Sequence, residues 1–200
     1  IWFRVAKTGT RTLNHLLSEA CTDCRYVTRG GAKAMQASDV ERINNLIGTH
    51  CFSFSIVRNP WDRVVSAWLN KIKIGPRDPW YTPKVRESQY RMCRALDPSL
   101  SPTITLEKDF DWFIQHLPES KLFRNNVHFM PQTEILSGSE IDYVGRFEEY
   151  EQSVRHIFDR IGLAIPAKLP HENISKPSAK DFRHYFSEES KATVAKLYAA

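Results

Sequence analysis

RVAKTGTRTLNHLL, residues 4–17, opens apolar, turns polar at Lys7-Thr8-Gly9-Thr10-Arg11-Thr12, and passes straight into an apolar helical pattern. Leu13, Leu16 and Leu17 recur at the spacing of one helix face. The reading is therefore a buried strand over 1–6, a tight turn at Gly9 and a helix over 12–20. Such a corner aims several backbone N–H groups and the positive end of the helix dipole at one point. Lys7 adds a mobile full charge, and Thr8, Thr10 and Thr12 add hydroxyl donors. Taken alone, the corner reads equally well as an anion site or as a solvated turn whose threonines cap the helix. It lacks the order G-x-x-x-x-G-K-[ST], because the lysine precedes the glycine.

A second corner breaks that tie. Cys51-Phe-Ser-Phe-Ser-Ile-Val57 is short, apolar and β-rich, the pattern of a second central strand. It ends at Arg58-Asn-Pro60, where the proline stops the strand and Trp61–Leu69 starts a helix. A guanidinium at a strand end binds phosphate bidentately, and the Ser66 hydroxyl adds a donor. Asp62 and Arg63 read as surface ion-pair partners. Two anion corners at two strand ends imply a ligand with two separate anionic groups.

The rest of the chain alternates strand and helix patterns. Ser38-Asp-Val-Glu41 is a capping box that starts a helix through Leu46 and Ile47. Residues 74–105, with five prolines among Arg, Trp and Tyr residues, read as an irregular, partly helical insertion. Helical periodicity returns over Phe110–Leu117. A short strand follows at Asp142–Phe147, a helix at Glu148–Ile161, a polar loop at Leu169–Lys180 and a closing helix at Ser187–Tyr198. The expected fold is α/β, a mostly parallel central sheet flanked by helices, in a single domain over 1–200.

Composition bounds the function. Hydrophobic residues make up 42% and charged residues 26%, as in ordinary globular domains. No apolar run approaches the roughly 18 residues that span a membrane. No basic leader precedes Ile1-Trp2-Phe3, which reads as mid-strand and leaves an upstream anchor open. The net charge of +5 favours anionic ligands but falls short of a dedicated nucleic-acid binder, and no nucleic acid is expected. Among four cysteines, Cys21-Thr-Asp-Cys24 is a lone C-x-x-C without a second pair. Cys51 and Cys93 complete the set, so ordinary thiols or a local disulfide are expected and a metal site is not. Asn173-Ile-Ser175 is formally a glycosylation sequon.

Lys7-Thr-Gly-Thr-Arg-Thr12 resembles the 5′-phosphosulfate loop of sulfotransferases. Val57-Arg58-Asn-Pro-Trp-Asp-Arg63 with Ser66 is similar to their 3′-phosphate motif, with the arginine and serine eight positions apart. His128-Phe-Met-Pro-Gln132 and Asp142-Tyr-Val-Gly-Arg-Phe-Glu148 are similar to segments of the Golgi carbohydrate sulfotransferases and their bacterial relatives. Leu169-Pro-His-Glu-Asn173 with Ser175 and Lys176, then Tyr185 and Leu197-Tyr198, follow the same group. The resemblance implies a P-loop-like nucleotide-binding fold. It also implies transfer of a sulfuryl group from 3′-phosphoadenosine 5′-phosphosulfate (PAPS) to an acceptor hydroxyl, with carbohydrate as the expected acceptor and no metal.

On that resemblance, Lys7 neutralises the leaving oxygen while Thr8, Gly9, Thr10, Arg11 and Thr12 form the loop around the 5′-phosphate. Arg58 and Ser66 hold the 3′-phosphate, and Lys176 closes over the nucleotide. Relatives place the general base between the two phosphate motifs, where this chain has Ala34, Met35 and Gln36. His128 is the candidate that remains in a family-like motif, and histidine suits proton abstraction near neutral pH. That His128 only packs or hydrogen-bonds locally stays open, while His15 and His50 read as structural. Arg146 and Glu148 read as structural partners. Two rivals remain: a nucleotide-dependent phosphotransferase, which lacks its Walker A order here, and a polyanion-binding module, which lacks a dense basic stripe. The compartment is open between cytoplasm and Golgi lumen, and the oligomeric state is not legible.

Overall fold

A computed structural model of the chain describes residues 1–20, 28–29, 52–76, 79, 81–100, 109–167, 169 and 181–199. The capping box at Ser38–Glu41, the Cys21–Cys24 pair, Cys51, His50, the sequon at Asn173 and Lys176 lie outside the described residues. The chain divides into two compact units, Ile1–Asn59 with Gln132–Ile174 and Pro60–Pro131 with Ser175–Ala200.

The first unit is the α/β part. Its sheet holds β1 (Trp2–Phe3), β2 (Thr28–Arg29), β3 (Phe54–Val57) and β4 (Tyr143–Arg146), in the order β2-β1-β3-β4 and parallel throughout. Parallel strands are covered on both faces, and β3 is buried from Ser53 to Ile56 accordingly. Phe54 and Ile56 face one side and enter a core with Trp2, Leu13, Leu16, Leu17, Val154, Ile157 and Phe158. The alternate positions are serines, whose buried hydroxyls need partners. Ser55 Oγ donates to the Phe3 carbonyl at 2.8 Å, across to the neighbouring strand.

Helices follow β1 and β4 in the chain. The first, α1 (Thr10–Ala20), buries the Leu13, Leu16 and Leu17 face that the sequence periodicity predicts. Strand β1 is shorter than the expected 1–6, because the chain leaves the ladder to enter a left-handed turn at Lys7. After β4, one 3-10 turn (Phe147–Glu149) precedes the helix Tyr150–Arg160, where a continuous helix from Glu148 is expected. Gly145 lets that helix approach the strand, since a Cβ there would stand 2.7 Å from Ser153 Cβ. Ser153 Oγ uses the proximity, accepting from the Arg146 N–H at 3.0 Å and donating to the Arg146 carbonyl at 3.1 Å.

The second unit is helical: α2 (Pro60–Lys71), α3 (Pro83–Leu96), α4 (Phe110–His116) and α5 (Lys121–Asn125), then Glu188–Leu197 near its end. In chain order α6 is Gln132–Leu136 of the first unit, α7 is Tyr150–Arg160 and α8 is Glu188–Leu197. Trp68, Phe110, Phe113, Phe129 and Val194 centre its core, with the Trp68 ring edge-on to Phe110 and Tyr185. Among the described residues of 74–105, α3 is the helical part of the expected partly helical insertion, and Pro83 takes its first position, where the missing N–H costs nothing. Thr82, Asp109, Ser120 and Ser187 cap α3, α4, α5 and α8 through their side-chain oxygens. Cys93 is a free thiol buried in this core, which pushes its pKa up to about 11 and leaves it unreactive.

The register of β3 against β4 is set at one point. Asp142 Oδ2 accepts from the Ser53 N–H at 2.7 Å and from Ser53 Oγ at 2.6 Å, and the Asp142 N–H donates to Ser53 Oγ at 3.0 Å. These bonds, led by the Ser53 hydroxyl, hold the carboxyl below its ordinary value. A depressed folded pKa means that the stabilisation is present above the unfolded value near 4 and is lost as pH falls through the folded one. Asp142→Asn should therefore lower the unfolding midpoint at pH 7 and flatten its decline between roughly pH 5 and pH 2. Urea melts of both proteins across that range check this, and parallel curves would remove Asp142 from the role.

Candidate functional site

At the β1–α1 corner, Lys7 has φ +71° and Gly9 φ +74°, with Thr8 between them on the negative-φ side and Thr10 opening α1. Backbone that alternates in handedness turns successive N–H groups into a concavity suited to an anion. Gly9 is the residue before the helix, and it carries no side chain that could close the helix's first amides. Thr8, Thr10 and Thr12 are all buried. The Thr8 hydroxyl donates to the Val5 carbonyl at 2.8 Å, so it braces the turn from inside. Arg11 is exposed and Lys7 half-buried.

The second corner is held by side chains. Gln132 brackets the Arg58 backbone: its Oε1 accepts from the Arg58 N–H at 2.9 Å, and its Nε2 donates to the Arg58 carbonyl at 2.7 Å. Glu148 Oε1 accepts from the Asn59 N–H at 2.6 Å. Glu148 is thus structural as expected, with a backbone amide as partner. Arg58 Nη1 donates to the Lys7 carbonyl at 3.0 Å, and its guanidinium lies 4.3 Å over the Phe147 ring.

This link joins the two corners. It lies where strand order reverses, since β1 is followed in the chain by its neighbour on one side and β3 by its neighbour on the other. In open parallel sheets, ligands bind at the carboxyl ends of strands at such a switch point. Lys7, Gly9, Thr10, Arg11, Thr12 and Arg58 are therefore together in the first unit.

Ser66 and His128 belong to the second unit. Ser66 is buried on α2. His128 sits in a turn fixed on every side. Its N–H donates to Asn126 Oδ1 at 3.0 Å, and the Phe129 and Met130 N–H groups both donate to the Asn126 carbonyl. Arg63 Nη2 donates to the Val127 carbonyl at 2.7 Å and Nη1 to the Met130 carbonyl at 2.8 Å. Tyr198 Oη donates to the Phe129 carbonyl at 2.6 Å. Burial pushes the Tyr198 hydroxyl up, so it stays a donor. The His128 ring is half-buried, with Nδ1 closed to solvent.

Arg63 corrects an expectation. It is not a surface residue but 1% exposed, because the turn of α2 that carries it faces inward with Val64 and Val65. A buried guanidinium must find acceptors, and its planar fork spans two carbonyls of one turn. His15, by contrast, pairs with Glu19 on the surface, one turn along α1, as a structural histidine does.

The sequence matches the model of the Sulfotransferase family over residues 1–200. The chain belongs to that family. Curated relatives include carbohydrate sulfotransferase 10 of Xenopus laevis, 27% identical over 82% of this chain and 48% of the relative. Carbohydrate sulfotransferase 14 of Danio rerio is 28% identical over 68% of this chain and 37% of its own length. Human carbohydrate sulfotransferase 10 is 26% identical over 74% and 44%. The chain thus spans about half the length of these relatives or less. No solved structure matches it.

The sequence does not show what Gln132, Arg63, Tyr150 or Tyr198 bond to in the fold. Gln132 closes the quoted His128–Gln132 segment, yet nothing in a sequence says that a glutamine amide will bracket a backbone 74 positions away.

A left-handed conformation costs a residue with a Cβ roughly 1–2 kcal/mol, which glycine avoids. Lys7→Gly should therefore be more stable than Lys7→Ala by about 1 kcal/mol. Chemical denaturation of the two variants measures the difference, and equal stabilities would show that Lys7 is not strained.

Proposed function

We propose that this chain is the catalytic part of a sulfotransferase that moves a sulfuryl group from PAPS to a carbohydrate hydroxyl. The observation that carries the reading is the Arg58–Lys7 link at the switch point, in a chain whose family transfers sulfuryl groups. A carbohydrate acceptor is supported by the relatives, whose printed names are carbohydrate sulfotransferases.

The acceptor oxygen attacks sulfur in line, and the bond from sulfur to the bridging oxygen of the 5′-phosphosulfate breaks. 3′-Phosphoadenosine 5′-phosphate leaves, and the acceptor's proton passes to a base. Lys7 meets the charge that develops on the leaving oxygen. The backbone of Thr8 and Gly9, with Thr10, Arg11 and Thr12, receives the 5′-phosphate. Arg58 and Ser66 take the 3′-phosphate, Lys176 covers the nucleotide, and positioning supplies much of the rate. His128 is the base. Because Nδ1 is closed to solvent, Nε2 is the nitrogen assigned to take the proton.

3′-Phosphoadenosine 5′-phosphate should raise the melting temperature of the protein. Arg58→Ala should weaken its binding at least tenfold by roughly one lost charge-assisted phosphate contact. Adenosine 5′-phosphosulfate, which has no 3′-phosphate, should lose less, through loosening of the Lys7 carbonyl alone. Equal losses in calorimetric titration would take Arg58 away from the 3′-phosphate.

His128→Ala should nearly abolish transfer of label from PAPS to a carbohydrate acceptor while leaving nucleotide binding intact. His128→Gln should not rescue it, because an amide cannot take a proton at this pH. Near-normal turnover in either variant would send the search for the base elsewhere.

A further inference from the structure

Tyr150 is the first residue of α7 and stands 141 positions from Gly9, yet its hydroxyl donates to the Gly9 carbonyl at 2.9 Å. The Leu13 N–H donates to the same carbonyl at 3.1 Å, so both of its lone pairs are engaged. The hydroxyl-bearing edge of the phenol ring lies close against the glycine. A Cβ at Gly9 would stand 2.5 Å from Tyr150 Cε2 and 2.8 Å from Cζ. Burial pushes the phenol's pKa well up, so the hydroxyl remains protonated and keeps donating.

The consequence follows from the planarity of the peptide bond. In a trans peptide the C=O of one residue and the N–H of the next point in opposite directions. Fixing the Gly9 carbonyl toward Leu13 and Tyr150 therefore aims the Thr10 N–H out of the helix end, into the corner. Gly9 needs such fixing, because glycine is the residue whose backbone turns over most freely. A flipped Gly9–Thr10 peptide would present a carbonyl oxygen where an anion is to sit.

We propose that Tyr150 is a positioning residue for the donor's 5′-phosphosulfate: it locks the Gly9–Thr10 peptide in the orientation that offers its N–H to the anion. This rests on the sulfotransferase reading above. It also gives Gly9 a second reason to be glycine, beyond its left-handed φ. Any side chain there would displace the ring that locks it.

The test compares two nucleotides on the intact chain by calorimetric titration. 3′-Phosphoadenosine 5′-phosphate carries the 5′-phosphate, and adenosine 3′-phosphate does not. Tyr150→Phe keeps the ring and removes only the donor. It should weaken the first nucleotide about tenfold, the scale of one hydrogen bond, and leave the second within about twofold. Gly9→Ala approaches the contact from the other side and should give the same split, which keeps the test decisive if either variant is poorly folded. Equal losses for both nucleotides, as a general loosening would give, overturn the proposal. So does unchanged affinity in Tyr150→Phe. Wild-type protein that binds neither nucleotide overturns the sulfotransferase reading itself, and this proposal with it.

Discussion

The site end of the first unit depends on a lysine held in a conformation that lysine does not favour. Lys7 at φ +71° carries a strain of order 1–2 kcal/mol, and its carbonyl receives Arg58 Nη1 at 3.0 Å. A hydrogen bond from a charged donor contributes about 1.5–3 kcal/mol, the same scale as the strain. Neither residue would hold its place so well without the other. The left-handed turn after β1 is stabilised by the arginine that follows β3. Because β1 and β3 are neighbours that lead to opposite sides of the sheet, the link falls at the position where a parallel sheet leaves room for a ligand.

Around that link the backbone is held by side chains rather than by ladder bonds. Gln132 brackets Arg58 as a neighbouring strand would, with one donor and one acceptor. Glu148 takes the next amide at Asn59, and Tyr150 takes the Gly9 carbonyl. In the second unit Arg63 and Tyr198 take three carbonyls of the turn that carries His128. Segments that leave regular structure expose obligatory donors and acceptors, and burying them unpaired costs about 1–3 kcal/mol each. Long polar side chains meet that need while leaving the turn free to adopt a shape no helix or sheet would allow. Rings finish the packing: Phe147 lies under the Arg58 guanidinium and 5.6 Å from the Tyr150 ring, so one aromatic pair backs both corners.

What the sequence made legible was what local pattern controls. The Leu13, Leu16 and Leu17 face, the Arg58–Pro60 strand stop and the Gly9 turn all express periods or backbone preferences within a few residues. The parallel sheet followed from their alternation. Arg63 went the other way, because Asp62-Arg63 looks like any exposed pair until the phase of α2 is known, and that phase places Arg63 inward. The partners of Tyr150, Gln132 and Tyr198 were illegible for a different reason. Each of these side chains acts on a carbonyl or amide 69 to 141 positions away, and no local pattern encodes such a partner. Thr8 lay between these cases: its hydroxyl was foreseen as a donor, and it does donate, but to Val5.

On the proposed sulfotransferase function, these long-range bonds act through preorganisation. A transition state that spreads charge over sulfonate oxygens gains most from dipoles already oriented before it forms, since reorienting them during reaction would consume the stabilisation they offer. A glycine-centred turn is the least suitable backbone for that purpose when isolated, and the most suitable in shape. The resolution at this corner is to keep glycine for its shape and to remove its freedom from outside, with a phenol whose burial keeps its proton on. The Asp142–Ser53 latch matters to the same end, because α7 follows β4, and the register of β4 on β3 decides where the Tyr150 ring arrives. A one-residue slip there would turn every β4 side chain to the opposite face and carry Tyr150 away from Gly9. An exposed aspartate at the far end of a strand thereby helps to set the direction of an amide at the corner.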